Sequence, residues 1–198
     1  TLTGMATVYG MAPSGNCWKV AQILRLTGQP FRWVEIDTNG GETRRPEFLR
    51  RNPFGNVPVL ELDDGTVLVE SNAILAHVAE GTPWLPPPGL PRTRVFEWLF
   101  FEQYSHEPYI AVARNIRAYL GTEAENAERL ARCEEAGAKA LDAMEHRLAT
   151  HDWLTDAGPT IADLALFAYT HVADEGGFDL RRWPGVAAWI ARLASLPG

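Results

Sequence analysis

The chain has 198 residues, 46% hydrophobic and 22% charged, with a formal net charge of −7 and a pI near 5.2. That length and composition can bury a core in one large domain or two small ones. The acidic balance excludes nucleic acid and anionic membrane surfaces, which require a basic face, as partners. The longest apolar runs fall well short of a bilayer crossing and no basic leader precedes one, so a soluble, cytoplasmic protein is expected.

"TLTG" ahead of Met5 reads as an added leader, with Met5 the native start. "ATVYG" (6–10) is rich in strand formers, and Val20, Ile23, Leu24 and Thr27 then repeat at helical spacing. "FRWVEI" (31–36) predicts a second strand, and "ETRRPEFLRRN" (42–52) a short charged helix. "VPVLEL" (57–62), the turn "DDG" and "TVLV" (66–69) predict a β-hairpin. A helix over 70–80 with Ile74, Leu75 and Val78 facing inward completes a β-α-β-α-β-β-α unit, residues 5–80. "GTPWLPPPGLP" (81–91) carries five prolines and reads as a semi-rigid linker. From residue 92 to 198 the pattern is helical, with Leu130, Cys133, Gly137, Leu141, Met144 and Leu148 forming one apolar seam. The fold class is therefore a small α/β domain followed by an all-α domain.

Four local patterns bear on chemistry. In "SGNC", Ser14 has the spacing of the first member of a C-x-x-C pair and can also cap the following helix. Cys17 falls in the first helical turn, where the dipole lowers a thiol pKa, but small cysteines there are often packing residues. Pro58 begins a strand, either as an edge residue or in a cis bond that turns the Val57 backbone towards a peptide-like ligand. "ESNAI" (70–74) opens a helix, with Ser71 as cap and Glu70 near the positive dipole end. The same end could hold a carboxylate, while Glu70 takes an ammonium, a pairing that suits an α-amino acid. In "PTIADLALFAY", Thr160 and Asp163 have capping-box spacing. No histidine lies at a spacing that would serve Ser14 as a base, and Cys17 and Cys133 form neither a disulfide framework nor part of a zinc cluster, so no metal is expected.

"SGNC", "NPFGNVPVL" (52–60), "ESNAI", the Pro-rich linker and "TIADL" (160–164) occur in an order that resembles the cytosolic glutathione transferases over nearly the whole chain. The resemblance implies a thioredoxin-like domain with an attached helical domain, usually as a homodimer. It implies a cis Val57–Pro58 bond, with the Val57 backbone pairing with the cysteinyl unit of glutathione. Glu70 and Ser71 would hold the γ-glutamyl end, and the Thr160–Asp163 cap would be a folding element. Ser14 occupies the position of the catalytic serine in the serine-type classes, and of the cysteine in the omega-type class. Asn16 falls where the bacterial beta class has its cysteine, and Ser-x-Asn is similar to the Thr-x-Asn of bacterial glutathione-dependent disulfide-bond reductases. Tyr9 lies too early, inside the strand, for a tyrosine-type mechanism. Asn56 stands where many relatives carry Lys or Gln for the glycyl carboxylate, which makes Arg44 the candidate substitute.

The expected function is activation of glutathione, a co-substrate, as a thiolate by Ser14 and Asn16 for attack on a small hydrophobic electrophile. The alternatives are glutathione-dependent disulfide or peroxide reduction, and a non-catalytic ligand carrier or interaction module. The electrophile pocket is expected between the domains, from Met11 and Ala12 and from Phe101, Tyr104, Tyr109, His106 and Glu107 on the first long helix of the second domain. The aromatic density of that helix also places it at the expected homodimer interface.

Overall fold

The computed structural model of the chain describes residues 4–196. Residues 1–3, most of the "TLTG" stretch, and residues 197–198, the end of the expected helical domain, lie outside the described residues. The chain divides into two compact units, one running to Leu85 and one spanning Pro86–Leu196.

In the first unit, strand β1 (Ala6–Gly10) leads into helix α1 (Gly15–Leu26), strand β2 (Phe31–Glu35) and helix α2 (Pro46–Arg51). Strands β3 (Val59–Glu61) and β4 (Val67–Leu68) and helix α3 (Ser71–Val78) follow. The sheet order is β2-β1-β3-β4, with β1 parallel to β2 and the other pairings antiparallel. The parallel pair follows from the helical crossover, and the antiparallel pair from the short turn at Asp63–Gly65. The β1–β3 register sets Tyr9 opposite Val59, and both pack with Val34, Ile36 and Phe48 of α2. Helices α1 and α3 pack together, burying Val20, Ile23 and Leu24 with Ile74, Leu75 and Val78. That contact brings two helix N-termini to one end of the unit.

The charged helix expected over 42–52 is broken. A single 3-10 turn, Glu42–Arg44, ends at Arg45, whose extended backbone (φ −70°, ψ 145°) precedes Pro46 at the first position of α2. A proline ring disfavours the helical region for the residue before it, which is why the break falls there.

The second unit contains α4 (Leu90–Phe101), α5 (Glu107–Arg114), α6 (Ala127–Leu148), α7 (Ile161–Thr170) and α8 (Pro184–Ala194). Leu90 and Pro91, expected in the linker, are already helical, with Pro91 in the first turn where its missing N–H costs nothing. The expected long helix over 97–115 is not one α-helix. It widens into π turns at Glu102–His106 and Asn115–Leu120. Pro108 cannot donate to the preceding turn, and the Glu107 N–H pairs five residues back with the Glu102 carbonyl. The α6 seam is buried as its spacing predicts, and every residue of α7 is buried, making it the centre of this unit.

Thr160 caps α7. Its hydroxyl accepts from the helix backbone and the Asp163 carboxylate accepts back from the Thr160 N–H at 2.9 Å, a complete capping box. Asp163 also accepts from the Leu154 N–H and from Trp189 Nε1, each at 3.0 Å. Burial raises its carboxyl pKa, and these hydrogen bonds oppose that rise.

Candidate functional site

The loop from β1 into α1 is held from three sides. The Ser14 N–H bonds to the Met11 carbonyl at 3.0 Å, closing a tight turn. Glu35, at the end of β2, accepts from the Ala12 N–H at 3.0 Å and from Trp33 Nε1 at 2.6 Å. The Thr38 hydroxyl donates to Met11 Sδ at 2.7 Å. Gly10 is required beneath this loop, because a Cβ there would stand 2.6 Å from the Trp33 ring.

Ser14 is the N-cap of α1, and its Oγ accepts from the Cys17 N–H at 3.3 Å. The capping role expected for this serine is therefore present. Ser14 remains half-buried, and an oxygen that accepts from the helix still carries a proton to donate. No acidic residue occupies the first turn of α1, so the positive end of the dipole is not neutralised locally.

Cys17 is fully buried, and its Sγ accepts from the Met11 N–H at 3.4 Å. Burial raises its thiol pKa, and the opposing hydrogen bonds from Ser14 and Met11 are outweighed. The dipole expectation for this cysteine fails because desolvation of the thiolate is the larger effect. Cys133 is likewise buried on the α6 seam, and burial raises its pKa. Tyr9 also has a raised pKa, from burial first and then from a hydrogen bond with Glu61.

At α3 the expected cap is shifted by one residue. Glu70 occupies the cap position, and Ser71 is the first helical residue. Glu70 has φ +65°, the only non-glycine residue with a positive φ among the described residues, and its side chain makes no capping bond. A glutamate in that region carries backbone strain of about 1–3 kcal/mol, a cost that clusters at ligand sites. The Ser71 hydroxyl donates to Asn16 Oδ1 at 3.2 Å, joining the first turns of α3 and α1. This contact spans 55 residues of sequence and no local pattern announces it.

The loop before β3 forms the third side. The Val57–Pro58 bond is cis. Strand β3 begins only at Val59, so Val57 stands outside the ladder and is half-buried. Asn52 organises this loop: its Nδ2 donates to the Asn56 carbonyl at 2.7 Å and its Oδ1 accepts from the Phe54 N–H at 3.0 Å. Sequence reasoning missed Asn52, although an Asn ahead of Pro-Phe-Gly is a turn signal. Gly55 has φ +67°, and a Cβ there would lie 2.5 Å from Arg44 Nη1. The glycine thus lets the Arg44 guanidinium lie beside the residue that precedes Asn56.

Asn16 and Ser71 are therefore joined directly, Ser14 caps the same turn of α1, Glu70 precedes Ser71, and the Arg44 guanidinium lies beside Gly55. The second-unit candidates differ among themselves. Phe101 is half-buried and stacks edge-on against Trp98 at 5.2 Å, while Tyr104 is 83% exposed. His106, expected as a polar pocket group, has no exposure and bonds through Nε2 to Thr170 Oγ1 at 2.8 Å. The π turn rotates it inward against α7, where it serves the core of its own unit. Among the described residues no group of His, Cys, Asp or Glu could hold a metal ion, and no helix is long and apolar enough to cross a membrane.

A four-stranded mixed sheet with a cis-proline before β3, followed by an all-helical unit, is the arrangement of a thioredoxin-like domain joined to a helical domain. The family model for the glutathione S-transferase N-terminal domain matches residues 8–86, and that for the C-terminal domain matches residues 100–197. The chain belongs to the glutathione S-transferase family. It is 35% identical to glutathione S-transferase 4 of Zea mays, over 98% of this chain and 90% of the relative. A crystal structure of a glutathione S-transferase from Xanthobacter autotrophicus Py2 is 63% identical with a TM-score of 0.95, covering 98% of this chain and 94% of that one. Ure2p in complex with glutathione is 29% identical with a TM-score of 0.85, covering 100% and 92%.

Proposed function

We propose that this chain is a glutathione transferase that binds glutathione across the two helix ends of the first unit and presents it as a thiolate to a small electrophile. The observation that carries this reading is the pairing of two helix N-termini, α1 and α3, neither with an acidic residue in its first turn. In this reading the γ-glutamyl carboxylate lies at the start of α3, on the first-turn backbone N–H groups and on the Ser71 hydroxyl, whose proton turns from Asn16 Oδ1 to the ligand. Glu70 takes the ammonium, and the Val57 backbone pairs with the cysteinyl unit as an added strand. Arg44 takes the glycyl carboxylate, and Asn56 lines that end.

The sulfur then sits at the start of α1. A thiol of pKa about 8.5 is roughly 3% ionised at pH 7, and lowering it to about 6.5 requires roughly 2.7 kcal/mol. A hydrogen bond to a charged acceptor supplies about 1.5–3 kcal/mol, and a helix N-terminus roughly 0.3–1 kcal/mol. The Ser14 O–H with the Asn16 amide suffices. Cys17, buried with a raised pKa, is no rival nucleophile. In the reaction the glutathione sulfur bonds to the electrophilic carbon, the leaving group departs with its electron pair, and the thiol proton passes to solvent.

Met11 and Ala12, in the loop from β1 into α1, are the first unit's proposed apolar contacts for the electrophile. Phe100 and Tyr104, one turn apart and 74% and 83% exposed, are the proposed contact with a second copy of the chain. A second reading, glutathione-dependent disulfide or peroxide reduction, is favoured by the Ser14-x-Asn16 spacing. A panel of glutathione with an aryl chloride, an organic hydroperoxide and a mixed disulfide decides between them. Conjugation of the aryl chloride supports the first, turnover of the other two alone supports the second, and no turnover of any rejects both. Light scattering at micromolar concentration should give the dimer mass, and the monomer mass would reject the proposed contact.

A further inference from the structure

The loop that carries Ser14 has few backbone donors, and each has a partner. The Met11 N–H points to Cys17 Sγ, Pro13 carries no N–H, and the Ser14 N–H closes on the Met11 carbonyl. Only the Ala12 N–H leaves the loop and α1, reaching Glu35 Oε1 on β2 at 3.0 Å. The acceptor is held in turn. Trp33 Nε1 donates to the other Glu35 oxygen at 2.6 Å, and the Trp33 ring lies against β1, where a Cβ on Gly10 would stand 2.6 Å from it. Trp33 and Glu35 are two residues apart on one strand, so their side chains share a face of the sheet. A second tie, from the Thr38 hydroxyl to Met11 Sδ at 2.7 Å, ends on a thioether, which is a weak acceptor. The carboxylate is the stronger anchor, since a hydrogen bond to an ionised acceptor is roughly twice as strong as a neutral one.

On the reading above, in which the Ser14 hydroxyl donates to the glutathione thiolate, we infer that Glu35 is a positioning residue for thiol activation, acting through the Ala12 N–H on the loop that ends in Ser14. The path is short and stiff. The packed indole fixes the carboxylate, the carboxylate fixes Ala12, and Pro13, with its locked φ, connects Ala12 to the Ser14 cap. The Glu35 charge has the opposite tendency. Burial is the main cause of the raised Cys17 pKa and the Glu35 carboxylate adds to it, so its negative field reaches the first turn of α1. A carboxylate there disfavours a second anion at the helix start. What it contributes to ionisation is the place of the Ser14 hydroxyl, not charge. Small displacements matter here, because misplacing a group by about 1 Å can lose roughly a hundredfold in rate.

Loss of position and loss of charge move the bound thiol in opposite directions, so the sign of the shift decides. Removing a negative charge alone lowers the pKa of a nearby thiol. Removing the tie lets the Ser14 hydroxyl move off the sulfur and raises it. Ultraviolet titration of the protein–glutathione complex should show a rise of roughly half to one unit in Glu35→Ala, a fraction of the roughly one to two units that a whole charged hydrogen bond provides. In a Ser14→Ala background the same substitution should no longer raise the pKa, because the group being positioned is gone. Glu35 is exposed, so its variants should fold. Glu35→Asp keeps the charge and withdraws the carboxylate by one methylene, so it too should raise the pKa, and it decides alone should Glu35→Ala not fold. An unchanged or lowered pKa in the single variants, or a rise that persists without Ser14, overturns the inference and leaves the proposed function standing. A wild-type protein that binds no glutathione, or whose bound thiol titrates as in free glutathione, overturns the proposed function and this inference together.

Discussion

Two hydroxyl-capped helix starts in this chain, at Ser14 and at Thr160, begin alike and are finished differently. At Thr160 the capping box is complete: an acidic residue stands in the first turn, and its carboxylate accepts from Thr160, Leu154 and Trp189 inside the core. At Ser14 the third helical position holds Cys17 instead of an acid, so the helix end keeps its positive field. The start of α3 is likewise left without a capping bond from Glu70. The structural helix end is closed by its own side chains, while on the reading proposed above the other two are left for a ligand to close. The difference is local chemistry, one carboxylate present or absent at one position.

The largest effect should come from opening the closed end. Asp163→Asn keeps the shape but sets an amide N–H₂ against donors that now face a carboxylate oxygen. One or two buried donors left unsatisfied cost about 1–3 kcal/mol each, so a loss of roughly 3 kcal/mol in urea unfolding is expected. Burial raises the Asp163 carboxyl, so its share of stability is fully present below the unfolded carboxylate pKa and declines as pH rises through the folded value. The gap between wild type and variant should therefore narrow with rising pH. Glutathione affinity of the folded variant should not change, and a specific loss of binding would place Asp163 in the site and end the contrast.

At the open end the measurable is affinity. Glu70→Gln and Ser71→Ala should each weaken glutathione binding roughly ten- to hundredfold, as for a lost charged hydrogen bond of about 1.5–3 kcal/mol. The Glu70 side chain is exposed and caps nothing, so its fold should be retained. Unchanged dissociation constants in both variants would show that α3 opens onto nothing.

The contrast was only half legible in the sequence. The Thr160–Asp163 box is local, two residues at fixed spacing, and the α6 seam is a periodicity; both survive in the structure because neither depends on distant contacts. The β-α-β-α-β-β-α order was equally readable from alternating periods. What escaped was non-local or sterically subtle. The Ser71–Asn16 bond exists because α1 and α3 pack together, and no window of sequence contains both residues. The positive φ of Glu70 moved the cap by one residue, since an unfavourable backbone is set by its surroundings and not by its own side chain. Pro46 and Pro108 were visible, but their consequences, a helix break and a π turn that carries His106 into the core, required the flanking backbone.

A third break in the contrast is to remove the hydroxyl of the open cap. Ser14→Ala should cost about 1 kcal/mol of stability as a lost N-cap. It should raise the pKa of the bound thiol by roughly one to two units, the equivalent of one charged hydrogen bond. Ultraviolet titration of the protein–glutathione complex reads that shift. Ser14→Cys should give a cysteine acidified by the helix end. Its thiolate attacks oxidised glutathione, forms a mixed disulfide and releases glutathione thiolate, which mass spectrometry detects as the adduct. An unshifted thiol pKa in Ser14→Ala would leave Ser14 as a cap and nothing more.

The smallest effect is expected three residues further on. Cys17→Ala removes a buried sulfur whose bond from the Met11 N–H is long, 3.4 Å, so a stability loss of about 1 kcal/mol at neutral pH is expected. Conjugating activity and its pH profile should be retained, because a thiol whose pKa is raised by burial contributes no thiolate near neutrality. The alkaline limb sharpens this. With the folded pKa raised, the thiol's contribution is fully present below its unfolded value of about 8.5, and it is lost as pH rises towards the folded value. In that window the unfolded chain ionises Cys17 and the folded chain does not, so wild-type stability falls by up to about 1.4 kcal/mol per pH unit relative to the alanine variant. Urea unfolding at pH 7.5 and 9.5 should show the gap between the two proteins closing. A gap that stays constant, together with lost activity in Cys17→Ala, would make Cys17 a working thiol and the helix end at Ser14 its own nucleophile site.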